Sequence, residues 1–419
     1  MNKNWRWFFW ILSALFYFYE FVLQISAGVL VDPLSVEFHL NATVIGLIGA
    51  IYFYSYAIMQ IPAGVLLDRF GAKKSLSFAI SLCALGSFIL YAANHFYWVL
   101  FSRFLTALGS AFAFIGVLKT AENWFPSYRF PLLSGLTFMI GMLGAIFGKA
   151  PLAYIIREIG WRDLMLSAGI AGLILSIIFI FVFKEAPNSV NPYNTTDETA
   201  DKKNDENQVR LKDFLPVFRN AENWKVAFYG GLMISPLLSL AGLWGEKYLM
   251  DVYSFSSIEA AGRISLLLVG FGIGAPFSGW LLGVVKSRKI SMMISSVGVL
   301  LTFICIFYMD SILLQKYLFV LLGFFTAFSI VVFTLIRDLN PIQISATALG
   351  FANLLNMVIG AICQTMIGIM LDHSWEGHMK EGAHIYTNYQ YQISFSILLA
   401  CIVLALLIIL FTKDRKSST

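Results

Sequence analysis

Gly64-Val-Leu-Leu-Asp-Arg-Phe-Gly-Ala-Lys-Lys74 parts two long apolar runs with a short basic turn. The run before it extends from about Val44 to Leu67 and the run after it from about Ser75 to Ala93. Each is long enough to cross the hydrocarbon core of a bilayer as a helix. The turn therefore lies at a membrane face, and Arg69, Lys73 and Lys74 predict that this face is cytoplasmic, because short loops rich in Lys and Arg are retained there.

Working outward from this turn, runs of mostly apolar residues recur at about 7–31, 44–67, 75–93, 97–118, 131–156, 163–183, 225–248, 261–284, 290–309, 314–336, 344–371 and 391–412. They predict an all-α integral membrane protein with twelve transmembrane helices in two six-helix halves. The expected boundaries are an N-terminal half 1–183, a cytoplasmic central linker 184–223 and a C-terminal half 224–419. With 58% hydrophobic and 13% charged residues among 419, and a mean hydropathy of +0.76, a soluble domain of this length could not bury its apolar surface. An even count of spans returns both termini to one side. Alternating the loops gathers the basic ones on that side: Lys3 and Arg6, Arg69 to Lys74, Arg129, the central linker, Lys286 to Lys289, and Lys413 to Lys416. The net charge of +5 is then a topological signal for the inner (cytoplasmic) membrane and not a nucleic-acid footprint. The N-terminal apolar run continues to about Val31 with no small-residue cleavage site, so it reads as a spanning helix and not as a removed signal peptide.

The break between the halves contains residues 191–208, N-P-Y-N-T-T-D-E-T-A-D-K-K-N-D-E-N-Q, too polar to fold alone. The segment 210–218, R-L-K-D-F-L-P-V-F, has the makings of a short amphipathic surface helix. A second polar stretch, His373 to Gln392, joins the last two spans on the outer side, and Asn41-Ala-Thr43 is a glycosylation sequon in an outer loop. The halves echo one another. Gly279-Trp-Leu-Leu-Gly-Val-Val-Lys-Ser-Arg-Lys289 occupies between spans eight and nine the place of Gly64–Lys74, with Gly283 where the first copy has Asp68. Parallel six-helix halves of this kind build many secondary transporters.

The residues Gly64-x-Leu66-x-Asp68-Arg69-x-Gly71 with Lys73 resemble the loop signature of the major facilitator superfamily, departing at Ala72 where a basic residue is usual. Ser102–Ser110 (S-R-F-L-T-A-L-G-S) is similar to its fourth-helix arginine pattern, and Gly141–Lys149 (G-M-L-G-A-I-F-G-K) loosely to its Gly-rich fifth helix. Tyr17–Ser26, Tyr52–Pro62 and Ala348–Met357 resemble a proteobacterial branch that includes phagosomal nutrient (amino-acid) transporters and is related to lysosomal dipeptide transporters. The resemblance implies the major facilitator fold and a secondary transporter that works by alternating access.

Charges inside predicted spans are costly, at least about 2.5–3.5 kcal/mol on insertion scales, and each needs a reason. Ser13, Tyr17, Glu20 and Gln24 fall at i, i+4, i+7 and i+11, one face of a helix. Glu20 is either part of an interhelical hydrogen-bond network or the group that takes up a proton or holds a substrate amine. Arg103 suits a substrate carboxylate, since guanidinium stays charged and binds carboxylate in a fork; a structural pair with Glu20 or snorkelling to the outer surface are the alternatives. Lys149 is a second cation beside Gly141, Gly144 and Gly148. Ser235, Ser239, Gly242 and Glu246 repeat the same spacing in the seventh span, where Glu246 and Lys247 could equally form a solvated rim pair. Asn353 and Asn356 offer neutral donors and acceptors to a zwitterion, and Tyr17, Tyr52 and Tyr56 are candidates for the cavity wall. Gly64, Asp68, Arg69, Gly71 and Lys73 are expected to form the gate, with Asp68 pairing Arg69 or Lys73 or sitting at the N-terminus of the eleventh span to favour an outward-open state.

No Walker A sequence, catalytic constellation or metal-ligand spacing is present, and Cys83, Cys305, Cys363 and Cys401 all fall in apolar runs. The expectation is a monomeric non-enzyme without cofactor or metal, whose partners are a small-molecule substrate, protons and the lipid bilayer. The expected function is proton-coupled or facilitative uptake of an amino acid or dipeptide. An exporter of drugs or siderophores, an organic-phosphate exchanger anchored on Arg103 and Lys149, and a transporter-like sensor or scaffold are the competing readings.

Overall fold

The computed structural model describes residues 3–38, 42–186, 214–285, 287–308, 312–377, 379–380 and 383–410. The polar run 191–208, Asn41 of the sequon, His39, His378, Lys286 and Lys413 to Lys416 lie outside the described residues. Among the described residues, eleven helices are long and apolar enough to cross a membrane. One of them, Ile51–Tyr91, is 41 residues long and bends at Gly71, so it holds two spans and the total is the expected twelve.

In chain order the helices are α1 (Lys3–Phe38), α2 (Ala42–Tyr91), α3 (Phe96–Ser110), α4 (Ala113–Trp124), α5 (Phe130–Phe147), α6 (Ala150–Ile159), α7 (Trp161–Phe181) and α8 (Leu215–Arg219). They continue with α9 (Ala221–Ser239), α10 (Gly245–Tyr253), α11 (Ser257–Val285), α12 (Arg288–Tyr308), α13 (Ile312–Ala327), α14 (Val331–Asp338), α15 (Ser345–His373) and α16 (Asn388–Leu410). Two-residue strands, β1 (Met379–Lys380) and β2 (Ala383–His384), pair antiparallel in the polar stretch before α16. Of the expected surface helix in 210–218, the described part is α8, which buries Val217.

The chain forms two compact units. The first comprises residues 1–130, 140–219 and 340–351, and the second 131–139, 220–339 and 352–419. Each unit thus takes in a short piece of the other half of the sequence. In the first unit a Cβ on Gly64 would meet the backbone of Ala346 and Thr347 at 2.6 Å. In the second, a Cβ on Gly279 would meet the backbone of Pro131 and Leu132. The two echoing loops therefore use the same first glycine for the same purpose, close approach to the start of another helix.

In the first unit, Gly141 and Gly144 of α5 lie against Tyr17, Phe18 and Phe21 of α1, where a Cβ would come within 2.6 Å of its nearest neighbour, and Gly148, just after α5, packs closely on Ile25. At the far end from Gly71, the Trp161 indole N–H donates to Glu37 Oε2 (2.9 Å), and Arg162 pairs with Glu37 while donating to the Ala93 carbonyl (2.8 Å). This ties α1, the end of α2 and the start of α7 together.

In the second unit, the seventh span is not one α-helix. Pro236 has no N–H for the Leu232 carbonyl, and the Ser235 hydroxyl donates to that carbonyl instead (2.9 Å). A π turn, Leu240–Trp244, follows, with α10 resuming at Gly245. The expected single stripe of Ser235, Ser239, Gly242 and Glu246 is corrected accordingly, because the wider turn breaks the 3.6-residue period after Ser239. Gln364 of α15 sits against this turn, its Nε2 donating to the Leu238 carbonyl (2.7 Å) and its carbonyl accepting from the Trp244 indole (2.9 Å). Lys247 pairs with Asp251 (3.0 Å), which also accepts from the Tyr391 hydroxyl (2.8 Å).

The bend in α2 rests on one residue. Gly71 adopts φ 80°, ψ 170°, a region essentially confined to glycine, and a Cβ there would lie 2.6 Å from Glu185 Oε1. Gly71→Ala is therefore expected to lower stability by about 1–3 kcal/mol, read as a fall in the thermal unfolding midpoint of the purified protein.

Candidate functional site

Glu20 lies mid-way along α1 and is 1% exposed. A carboxylate buried to this extent must be paired, hydrogen-bonded or neutral. The Tyr52 hydroxyl, from the first limb of α2, donates to Glu20 Oε1 at 2.9 Å. Arg103 of α3, also buried, stacks its guanidinium 4.5 Å from the centre of the Tyr52 ring. Its Nη1 donates to the Leu23 carbonyl (3.0 Å) and its Nη2 to the Gln24 carbonyl (3.4 Å). Among the described residues Glu20 and Arg103 form no direct ion pair; Tyr52 joins them, its hydroxyl on the acid and its ring on the base. Within this group, two of the buried polar atoms that have no hydrogen-bond partner among the described residues are Glu20 Oε2, an acceptor, and Arg103 Nε, a donor.

The neighbours complete a polar and aromatic patch in the first unit. Tyr56 stacks on Tyr52 with ring centroids 6.2 Å apart. Tyr17 is buried against Phe21 and Phe114, so it is part of the wall packing. Gln24 is half-buried and contributes its main-chain oxygen. Lys149 is half-buried at the junction of α5 and α6, where the backbone leaves helical geometry. Asn353 and Asn356 are buried in the second unit, Asn356 with its Oδ1 beside Gly230 of α9.

The loop residues form a second cluster. Asp68 accepts from the Ala346 N–H (Oδ1, 3.1 Å), the Thr347 N–H (Oδ2, 2.8 Å) and the Thr347 hydroxyl (Oδ2, 2.9 Å). These are first-turn donors of α15, which otherwise have no partner within the helix, and a negative charge there is favoured by the helix dipole. Of the three expected positions for Asp68, the structure has the last, at the N-terminus of the eleventh span. Arg69 is exposed with its guanidinium 5.4 Å from the Phe70 ring, and Lys73 takes part through its main-chain N–H, which donates to Glu185 Oε1 (2.6 Å). Burial pushes the Glu185 carboxyl up from the ordinary carboxylate value, opposed by the Lys73 N–H.

Lys119 of α4, a residue outside the expected spans, completes the cluster. Its ammonium lies 3.0 Å from Asp68 Oδ1 and 3.2 Å from Glu122 Oε2, and donates to the Ile342 carbonyl (2.6 Å) and the Ser345 hydroxyl (2.7 Å). The signal available was Lys119-x-x-Glu122 in an otherwise apolar stretch that runs on to Trp124 and Phe125. The expected span ended at 118, whereas α4 continues to Trp124 and takes in both residues.

Residues 9–364 match the family described as Major Facilitator Superfamily. The chain belongs to the major facilitator superfamily. Among curated relatives, the probable sulfoacetate transporter SauU of Cupriavidus necator is 22% identical over 42% of this chain and 41% of its own length. The 4-hydroxybenzoate transporter PcaK of Acinetobacter baylyi is 27% identical over 44% of this chain and 40% of its own. The chain spans less than two thirds of the length of the curated relatives it matches, from 40% to 64%. In fold it is similar to the superfamily transporter FucP, whose crystal structure is of the outward conformation, with TM-score 0.76 and 14% identity over 97% of this chain and 99% of that one. As a superfamily member with eleven long apolar helices among the described residues, one of them doubled, the protein is a multi-pass membrane protein.

Proposed function

We propose that this protein is a secondary transporter that moves a small zwitterionic nutrient, an amino acid or dipeptide, together with protons. The observation that carries the reading is the pair of buried atoms without hydrogen-bond partners, Glu20 Oε2 and Arg103 Nε, on either side of Tyr52. An unmet acceptor and an unmet donor in one patch suit a solute that brings both an amine and a carboxylate, since each buried group left unsatisfied costs about 1–3 kcal/mol. Glu20 is the proton-coupling residue. Arg103 receives the carboxylate through Nε and the Nη protons not committed to α1. Tyr17, Gln24, Tyr52 and Tyr56 line the site, and Lys149 is accessory to it. Gly64, Asp68, Arg69, Gly71 and Lys73 form the cytoplasmic gate. The chain sits in the inner membrane with both termini inside and acts as a monomer.

A second reading, uptake of an organic anion, is favoured by the names of SauU and PcaK, whose stated substrates both carry a carboxylate. A thermal-shift screen of the purified protein with amino acids, dipeptides, sulfoacetate and 4-hydroxybenzoate separates the two. Binding stabilises the native state by RT ln(1 + [L]/Kd), about 2.7 kcal/mol at a hundredfold excess over Kd. Stabilisation only by ligands bearing both amine and carboxylate supports the zwitterion, and equal stabilisation by the two aromatic or sulfonated anions supports the second reading. In either case Arg103→Lys is expected to abolish the shift, because a point charge cannot reproduce the fork and its stacking on Tyr52. An unchanged shift removes Arg103 from recognition.

A further inference from the structure

We propose that Cys363 and Cys401 are a redox-responsive thiol pair, which a hydroperoxide joins in a disulfide that ties α15 to α16 beside the π turn of the seventh span. The pair works in this way whatever solute the protein carries.

The two Sγ atoms lie 3.6 Å apart, with Cys363 in the middle part of α15 and Cys401 in the middle part of α16, and both are buried. At that separation one S–H points at the other sulfur, so the thiols are partners and not two small hydrophobes packed separately. The Ser235 hydroxyl of α9 reaches both sulfurs. It already donates to the Leu232 carbonyl, and its lone pairs remain able to accept a thiol proton. Three helices therefore meet at one polar point within the second unit. Cys83 has different surroundings, since its Sγ faces oxygens, the Thr106 carbonyl (3.6 Å) and the Ser110 hydroxyl (4.0 Å).

Buried thiols are ordinarily inert, because the reactive species is the thiolate. A donor aimed at a sulfur favours negative charge on it, and each sulfur of this pair has the other S–H and the Ser235 hydroxyl at hand. One sulfur attacks an oxygen of a hydroperoxide, ROOH. The O–O bond breaks, RO leaves with the thiol proton as ROH, and a sulfenic acid remains. The second sulfur, already in contact, then attacks the first. The S–O bond breaks, hydroxide leaves with the second thiol proton as water, and the S–S bond forms. Two electrons pass from the thiols to the peroxide, and the sulfurs close from 3.6 Å to about 2.05 Å.

Gln364 follows Cys363 directly in the chain, and it braces the π turn. Its Nε2 donates to the Leu238 carbonyl (2.7 Å), and its carbonyl accepts from the Trp244 indole (2.9 Å). Fixing Cys363 to α16 therefore fixes the residue that holds the turn. The seventh span stiffens where Pro236 and Leu240–Trp244 make its backbone least regular.

The test treats the full-length protein in detergent with hydrogen peroxide or, separately, with the lipid-soluble cumene hydroperoxide. A non-reducing peptide map is expected to show the segments that hold Cys363 and Cys401 joined, and dithiothreitol is expected to part them. Either peroxide that yields this cross-link supports the proposal, and the faster one tells whether the oxidant arrives through water or through lipid. Hydrogen–deuterium exchange of the peptide covering 232–247 is expected to slow roughly tenfold in the oxidised protein and to recover on reduction. Cys401→Ala is expected to show neither the cross-link nor the slowing, and Cys363→Ser serves as the second control should that variant fail to fold. Absence of the Cys363–Cys401 cross-link after both peroxides overturns the proposal. A cross-link that leaves exchange of 232–247 unchanged overturns its effect on the seventh span, and slowing that persists in the control variant does the same.

Discussion

Replacing Glu20 by Gln is expected to abolish gradient-driven accumulation while leaving substrate exchange in place. The carboxamide has nearly the shape of the carboxyl group, and its oxygen can still accept from the Tyr52 hydroxyl, which donates to Glu20 at 2.9 Å. The fold and the Tyr52–Arg103 stack should therefore survive. What the carboxamide cannot do is take up and release a proton. A gradient of one pH unit supplies about 1.36 kcal/mol per proton, roughly tenfold accumulation per coupled proton. In reconstituted vesicles the natural protein should reach that order of accumulation for the ligand identified by thermal shift, and Glu20→Gln should stop at equilibration. Counterflow of labelled against unlabelled ligand, which needs no net proton movement, should continue. A Glu20→Gln protein that still concentrates its ligand under a pH gradient would take proton coupling away from this residue.

The parts of this picture that sequence alone carries are those with a one-dimensional signature. Twelve apolar runs and the basic turn at Gly64–Lys74 are enough for the fold, because a bilayer admits only helices and closed barrels and apolar runs of about twenty residues have the length of a helix. Glu20, Arg103 and Asp68 stand out for the same reason, since a charge in or beside an apolar run is expensive enough to need a purpose. Tyr52 is different. It lies 32 residues from Glu20, and no periodicity reveals that its hydroxyl serves the acid while its ring carries the base. The target of Asp68 is 278 residues away at Ala346, and the dipole argument supplied it only as one of three positions. Lys119 was lost at a span boundary, where hydropathy falls gradually and a cation is ordinarily taken for loop. The π turn at Leu240–Trp244 was lost because a periodicity argument presumes the period; Pro236, Gly242 and Gly245 were its only trace in the sequence. Paired partners distant in sequence and local changes of helical pitch are tertiary facts, and both fell outside what spacing reports.

Asp68→Asn should shift the gate without changing what the protein recognises. Asp68 accepts from two N–H groups and one hydroxyl at the start of α15 and faces the Lys119 ammonium. All four are donors, so an amide in either orientation must turn its own N–H₂ toward one of them. The variant loses the charge that complements the helix dipole, worth up to about 2 kcal/mol in partly buried geometry, and it breaks a buried ion pair, at about 3–5 kcal/mol when one partner is removed. Because Lys119 keeps Glu122 as a counter-charge at 3.2 Å, the lower end applies. About 3 kcal/mol is roughly a hundredfold in an equilibrium constant, enough to depopulate the state in which Asp68 holds α15 and to slow any cycle that must pass through it. Counterflow should fall by at least tenfold. Ligand ranking in the thermal-shift screen should stay as it was, since Asp68 follows Tyr52 by 16 residues along α2, about 24 Å at 1.5 Å per residue. A carboxylate at that distance cannot touch a small solute held at Glu20 and Arg103. If the ranking changes, Asp68 belongs to recognition, and the division of labour between the buried patch and the basic turn has to be redrawn around it.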